Sequence, residues 1–313
     1  MSSRRDFVSC ASHLALVAAV APRSALREWT RRTAGPVVAA EPWGRLERVA
    51  DGVWALVSTP LSGDRTTVAN GGIIAGQKGV LAIEGFMSPE GARWLAGQAK
   101  ALAGRWPTHV AVTHYHADHA NGVAGYAADG ERPVVHATAR TRDDVLTRNT
   151  PADDARAAAL RDAQPVGEGG EERIDLGGRV VRVIARQGHT ASDLTLELDE
   201  PGVVFCGDLV WNAMFPNYVD ASPTALARAV KALRRPRETV YIPGHGSVAN
   251  DADVARYQSM LEEVERAARA AKAKGMTAAE GGAAFALPPS LGEWVLFNKV
   301  FHERAFAAWY REL

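Results

Sequence analysis

At 313 residues, with 47% apolar and 23% charged side chains, the chain has the make-up of a soluble globular protein large enough to bury a substantial core. Its 36 basic and 36 acidic side chains cancel, so no global field steers it toward nucleic acid or a membrane surface. The only cysteines are Cys10 and Cys206, and Cys10 reads as part of a removable leader, so neither a disulfide framework nor a cysteine-based zinc site is expected in the mature chain.

Residues 1–40 read as an address ahead of the fold. Ser3-Arg4-Arg5-Asp6-Phe7-Val8 has the paired arginines of a twin-arginine export signal. The stretch 10–21 that follows is only moderately apolar, broken by Ser12 and His13, and too short to span a bilayer as a mature helix. A general secretory leader and an uncleaved anchor are the alternatives. Small-residue cleavage patterns occur at Ala19-Val20-Ala21, before Pro22, and at Val38-Ala39-Ala40. The expectation is an exported, periplasmic protein with its main domain over 41–250 and a helical extension over 251–313 packed on that domain.

From Leu46 the pattern turns to strands. Residues 46–49 and 53–57, joined by Asp51-Gly52, predict a hairpin. A polar loop over 59–70 leads to strands at 71–76 and 80–84. A helix follows over 89–103, with Ser88 as N-cap, Pro89 at its first position and Trp94, Leu95, Ala99 and Leu102 at helical spacing. A strand centred on Val110 to Val112 comes next, then a short helix over 120–128, a strand over 133–136, and helices over 137–146 and 152–163. Strands are expected at 172–176, 179–185, 194–198 and 203–206, then a helix at 223–234 and a strand at 239–242. This order, strands first and then strands alternating with helices, argues for sheets with helices packed outside them. From Asp251 the chain reads as helix, with Val254, Tyr257, Leu261 and Val264 in one stripe and Gly275 as its stop. A last helix is expected over 291–310, rich in Trp294, Phe297, Phe301, Phe306 and Trp309, which read as packing residues.

The densest chemical signal follows the strand at 110–112. Thr113-His114-Tyr115-His116-Ala117-Asp118-His119 crowds imidazoles and a carboxylate together, and these are the donors that zinc takes in hydrolytic sites. Three later segments also place such donors just beyond apolar strands: Gly188-His189-Thr190, Gly207-Asp208 and Pro243-Gly244-His245-Gly246. Taken singly, His189 is a turn histidine, Asp208 a strand-end cap and His245 a loop residue; the set points to metal chemistry. His13, His109, His136 and His302 lie outside these motifs and read as structural or surface residues, and Cys206 reads as a small buried hydrophobe.

Over residues 46–247 these motifs resemble the metallo-β-lactamase superfamily, whose motif regions all occur in order. The resemblance implies an α+β fold, a four-layer αβ/βα sandwich, here with a C-terminal helical extension. It implies a first metal held by His114, His116 and His189, a second held by Asp118, His119 and His245, and Asp208 bridging the two. Spacing agrees, because side chains two apart in an extended stretch point the same way, as His114 and His116 would. The implied cofactors are two zinc ions, with iron or manganese as alternatives. Asp118 and Asp208 are also expected to be catalytic. The implied chemistry is hydrolysis of an ester, lactone, thioester or cyclic amide by a hydroxide bridging two ions ~3.5–4 Å apart. Thr113 and Thr190 are candidates to orient ligands through hydrogen bonds.

The details narrow this reading. Two β-lactamase subclasses carry cysteine where Asp208 stands and usually a lysine three residues later, where this chain has Trp211. Glyoxalase II shares the ligand set and adds a helical domain with basic groups for glutathione; Lys272, Lys274 and Lys299 lie in the tail here, but export fits poorly with a cytosolic thiol. The flavin-linked di-iron members carry Glu where His116 stands. A single-iron sulfur dioxygenase is the alternative from another reaction class, and a non-catalytic metal-binding protein is a third. Loops 61–70 and 211–218 are expected to contact a small-molecule substrate. Asn217 and Tyr218 are candidates to polarise a carbonyl oxygen, with turn residues beside Pro216 as the equal alternative. Trp211, Met214 and Phe215 suggest a partly hydrophobic substrate, or packing beneath the loop. Neither a nucleic acid nor a membrane span in the mature chain is expected, and the sequence assigns no oligomeric state.

Overall fold

A computed structural model describes residues 35–59, 63–235 and 238–313. The export signal expected at the N-terminus therefore falls almost wholly outside the described residues.

Alternation of side chains along the strands decides the layering. In β3 (Val53–Ser58), Val53, Ala55 and Val57 face a second sheet, while Trp54 and Leu56 face a helix. Both faces are buried, so the strand reads as one apolar run. It belongs to an eight-stranded sheet ordered β1 to β8. Strands β1 (Val37–Glu41), β2 (Gly44–Ala50), β3, β4 (Gly71–Ala75) and β5 (Val80–Ile83) pair antiparallel. Strands β6 (His109–Ala111), β7 (Val134–Thr138) and β8 (Gln164–Val166) then add in parallel. The second sheet runs β13-β12-β11-β10-β9 and comprises β9 (Glu171–Asp175), β10 (Val180–Arg186), β11 (Asp193–Leu198), β12 (Val203–Trp211) and β13 (Val240–His245).

Between the sheets lies a core that includes Ile74, Leu81, Val181, Val183, Leu196 and Phe205. Helix α1 (Pro89–Ala103) packs Ala92, Leu95 and Ala99 on the outer face of the first sheet. Helices α5 (Pro223–Leu233) and α6 (Asp251–Ala273) cover the outer face of the second through Leu226, Val230, Val254 and Tyr257. Helix, sheet, sheet and helix make the expected four-layer α+β sandwich. No helix among the described residues is long and apolar enough to cross a membrane.

Several expectations shift. Strand β1 pairs with β2 and runs across the boundary drawn at residue 40, through the later cleavage pattern. The helix expected at 120–128 is a single α turn, α2 (Ala117–Ala120), followed by a 3₁₀ segment, Val123–Gly130. Helix α3 (Ala139–Arg148) starts after β7, where the Thr138 side chain accepts from Thr141 N, and α4 (Asp154–Arg161) follows with Asp153 as its cap. The Ser88 hydroxyl donates to Thr66 O, so Ser88 occupies the N-cap position of α1 without capping it. The tail also differs. A short helix, α7 (Ala278–Ala284), precedes a 3₁₀ turn, Pro289–Leu291, and the last helix, α8, spans only Val300–Glu312. Asn298 sets that start, because its Oδ1 accepts from Val300 N.

Candidate metal centre

The segments that carry the expected ligands lie toward the carboxyl ends of β6, β10, β12 and β13, at one mouth of the sandwich. His114 and His116 stand on the extended exit from β6, and α2 then turns the chain so that Asp118 and His119 point elsewhere. His189 follows β10. Asp208 lies inside β12 and His245 closes β13, rather than both following shorter strands as expected. Parallel pairing brings Gly207 opposite Pro243 and Trp211 opposite His245. A Cβ on Gly244 would lie 1.9 Å from Asp208 Oδ1, so the residue before His245 must be glycine for the carboxylate to sit there.

The side chains fall into two groups, His114, His116, His189 and Asp208 in one and Asp118, His119 and His245 in the other. In the first, His116 Nδ1 lies 3.1 Å from His114 Nε2 and 3.0 Å from His189 Nε2, and His189 Nε2 lies 3.1 Å from Asp208 Oδ2. In the second, His245 Nε2 is 3.4 Å from Asp118 Oδ2. Asp208 also faces this group, with Oδ1 at 3.1 Å from His119 Nε2 and 3.4 Å from His245 Nε2. Asp208 thus stands between the two groups, as a bridging ligand would.

Outer hydrogen bonds determine which ring nitrogens carry protons. Thr113 donates its hydroxyl proton to Glu84 Oε1 at 2.6 Å, so His114 Nδ1, 3.0 Å from that hydroxyl, is the donor between them. Asp220 can only accept, so His116 Nε2 donates to its Oδ2 at 3.0 Å. His119 Nδ1 likewise donates to Glu84 Oε1 at 3.0 Å. The inward nitrogens of His114 and His116 then carry lone pairs aimed into the site, while His119 turns its Nε2 toward Asp208 Oδ1 at 3.1 Å. His119 Nε2 and Asp208 Oδ1 are buried without a hydrogen-bond partner. A converging set of lone pairs with orphaned acceptors is a donor set for cations, and these residues fit a metal pair.

Charge balance agrees. Burial opposes ionisation of Asp208, but His119, His245 and His189 outweigh it and hold its carboxyl well below the usual range. Asp118 is treated likewise by His119 and His245, down to about 2. Burial opposes a proton on His245, yet Asp208 and Asp118 raise it to about 9. His119 is raised well above the usual value against burial, by Asp208, Glu84 and Asp118. The carboxylates therefore draw positive charge into the site. Burial dominates at His114 and His116, which are held neutral and lone-pair-bearing.

Three supporting carboxylates were missed in the sequence. Glu84, at φ +77° just past β5, serves both His119 and Thr113; its only sequence signal is an acid ending an apolar strand, the signal that marked Asp208. Asp193 accepts from the N–H groups of His189 and Thr190 and from the Thr190 hydroxyl, while burial lifts its own carboxyl to about 6. Asp220 serves His116. Thr113 contacts His114 directly, as expected, whereas the Thr190 hydroxyl bonds Ser192 O and Asp193 Oδ1 within its own turn, the local alternative.

The structure does not bring Asn217 and Tyr218 into this network. Asn217 Oδ1 accepts from Val219 N and from Arg304, and Tyr218 is buried among Phe215 and the residues of the tail helices. These contacts fit the turn-residue reading, and the carbonyl-polarising role is dropped. Trp211, Met214 and Phe215 are packed beneath the loop. Trp211 lies over His245 with ring centroids 4.1 Å apart, and Phe297 and Phe301 pack against Trp211.

Comparison with known proteins gives a consistent picture. A family model for the metallo-beta-lactamase superfamily matches residues 65–245. A hydroxyacylglutathione hydrolase from Acidiphilium cryptum (strain JF-5) is 29% identical over 197 residues, covering 62% of this chain and 72% of that protein. Among solved structures, the inverting sec-alkylsulfatase Pisa1 from Pseudomonas sp. aligns over 92% of this chain with TM-score 0.67 and 17% identity. The chain spans about half of that sulfatase, 54% of its length. A metallo-beta-lactamase from Erythrobacter litoralis aligns along 100% of its own chain and 73% of this one, with TM-score 0.59 and 19% identity.

Proposed function

The chain belongs to the metallo-beta-lactamase superfamily, and from that premise we propose that it is a dinuclear zinc hydrolase of acyl thioesters, esters or lactones. The observation that carries this reading is the position of Asp208, whose two oxygens face His189 on one side and His119 and His245 on the other. An oxygen donor there, shared between two ligand groups, suits a pair of hard-to-borderline divalent ions.

His114, His116 and His189 would hold one ion, Asp118, His119 and His245 the other, and Asp208 both. When bound, the pair supplies hydroxide at neutral pH and a Lewis acid for the carbonyl. The chain's own residues do the rest. Thr113, Glu84 and Asp220 fix the tautomers and ring orientations of His114, His119 and His116. Asp118, 20% exposed and the most open of the proposed ligands, stays ionised and would accept a proton from the attacking water and pass it to the leaving group. Trp211, Phe297 and Phe301 close the His245 side to solvent. With Trp211 in place of a cation there, nothing at that position grips a substrate carboxylate, which favours acyl thioesters, esters or lactones over β-lactams. The hydroxyacylglutathione hydrolase relatives support the thioester arm.

The test is zinc reconstitution of metal-depleted protein, assayed on acyl thioester, lactone, simple ester and β-lactam panels. Zinc-dependent cleavage of the first three with little β-lactam turnover is expected. Oxygen consumption on a persulfide by protein carrying a single iron would overturn the reading and put a dioxygenase in its place.

A further inference from the structure

We propose that Asp220 is the positioning residue for His116 and that the C-terminal helix α8 holds Asp220 in place, so that the helical tail tunes metal affinity from outside the ligand set. The inference rests on His116 being a metal ligand.

Asp220 lies in the irregular segment 212–222 between β12 and α5, far in sequence from what it touches. Its Oδ2 accepts from His116 Nε2 at 3.0 Å and from the hydroxyl of Tyr115, and its Oδ1 accepts from Arg148 at 3.0 Å. Arg148 is the last residue of α3, and its guanidinium lies 4.2 Å from the centre of the Tyr115 ring. One carboxylate thus ties the His116 turn to α3. An exposed ion pair between Asp220 and Arg148 alone would contribute little. The His116 contact differs, because it fixes which nitrogen of a ligand faces inward.

Segment 212–222 has few ladder bonds of its own, and the tail supplies its anchors. Phe215 N donates to Val295 O and Val295 N to Ala213 O, each at 2.9 Å. Downstream, Arg304 donates to Asn217 Oδ1 at 3.1 Å and Arg311 to Ala221 O at 3.2 Å. These arginines are seven apart on α8, hence on one helix face. Their contacts fall on either side of Asp220. Glu312 then accepts from the Ser222 hydroxyl at 2.6 Å and from Thr224 N at 3.0 Å. Ser222 N in turn donates to Gly188 O, next to His189. Tail, segment, Asp220 and His116 therefore form one continuous chain of contacts.

The test uses the full chain. Zinc affinity of metal-depleted protein is measured by chelator competition, and the cobalt-substituted protein is examined by visible absorption, which reports ligand geometry. Asp220→Ala should weaken metal binding about 10–100-fold and alter the cobalt spectrum. Asp220→Asn, which keeps an acceptor oxygen and the shape, should recover most of both; if the alanine variant fails to fold, Asp220→Leu, of similar size but without an acceptor, takes its place with the same expected loss. The double variant Arg304→Ala/Glu312→Ala should weaken metal binding several-fold in the wild-type background and have no further effect on top of Asp220→Ala. Wild-type affinity and an unchanged cobalt spectrum in Asp220→Ala would overturn the positioning role. Additive losses in the combined variant would overturn the link to the tail. A wild-type protein that binds no metal would instead remove the ligand reading beneath both.

Discussion

The ligand-bearing turns and the segment 212–222 border the same centre but are held by different means. Two of the turns are fixed close by in sequence, His114 by its neighbour Thr113 and the His189 loop by Asp193 four residues on, while His116 and His119 also lean on the distant Asp220 and Glu84. Segment 212–222 is fixed at long range by the tail, through Val295, Arg304, Arg311 and Glu312 and through aromatic packing of Phe215 against His302. Local fixing resists small changes elsewhere in the molecule and fails completely when a ligand is lost. Remote fixing spreads over many contacts, so its loss should appear as graded changes in stability and affinity.

The sharpest break comes from Asp208→Ala. It removes the shared carboxylate and leaves His119, His189 and His245 without their common partner, so both metals should be lost and turnover should fall by more than the ~100-fold typical of supporting residues. Far-UV circular dichroism should be unchanged; retained metal would contradict the bridging position. On the remote side, Phe306, 1% exposed, packs within the tail. Phe306→Ala should cost about 3–5 kcal/mol in urea unfolding of the metal-depleted protein. Metal stoichiometry below the transition should be preserved, and stoichiometric loss there would erase the distinction between the two regions.

A pH measurement gives a smaller effect away from both. Burial, reinforced by nearby His109, lowers His136 from 6.5 to about 4. The folded state keeps this imidazole neutral while the unfolded chain takes up a proton, so its contribution is full above pH 6.5 and is lost as pH falls from 6.5 toward 4. The loss is at most about 3 kcal/mol. His136→Gln should flatten the stability slope in that window, and an unchanged slope would contradict the assignment. Smallest is the cap of α6, where Asn250 and Asp253 form a reciprocal capping box. Asn250→Ala should cost about 1 kcal/mol, read as a lower melting temperature with metal binding intact.

The same division explains what could be read from the sequence. The proposed ligands sit in short motifs at strand ends or, for Asp208, within β12; residue type marks those segments, and the resemblance to a known superfamily assigns them to two ions. Among the supporting carboxylates Glu84 carries the same strand-end signal, but Asp220 does not: it meets His116 across 104 residues, and nothing near Asp220 marks it. Asn217 and Tyr218 stood close to Asp208 in sequence, yet the chain leaves β12 toward the tail and carries them into its packing. Strand β1 was hidden because Val37 and Val38 are largely exposed at a sheet edge, without the alternation of a half-buried strand. The last helix is shorter than its aromatic spacing suggests, because Trp294 and Phe297 continue that spacing through a stretch that Gly292 and Asn298 keep out of the helix.

Elemental analysis of the purified full-length protein, in parallel with its Asp208→Ala variant, tests the central claim most directly. The account predicts about two zinc ions per chain in the wild type, as a two-metal site requires, and essentially none in the variant. A single iron per chain in the wild type, or full metal content in Asp208→Ala, would contradict it.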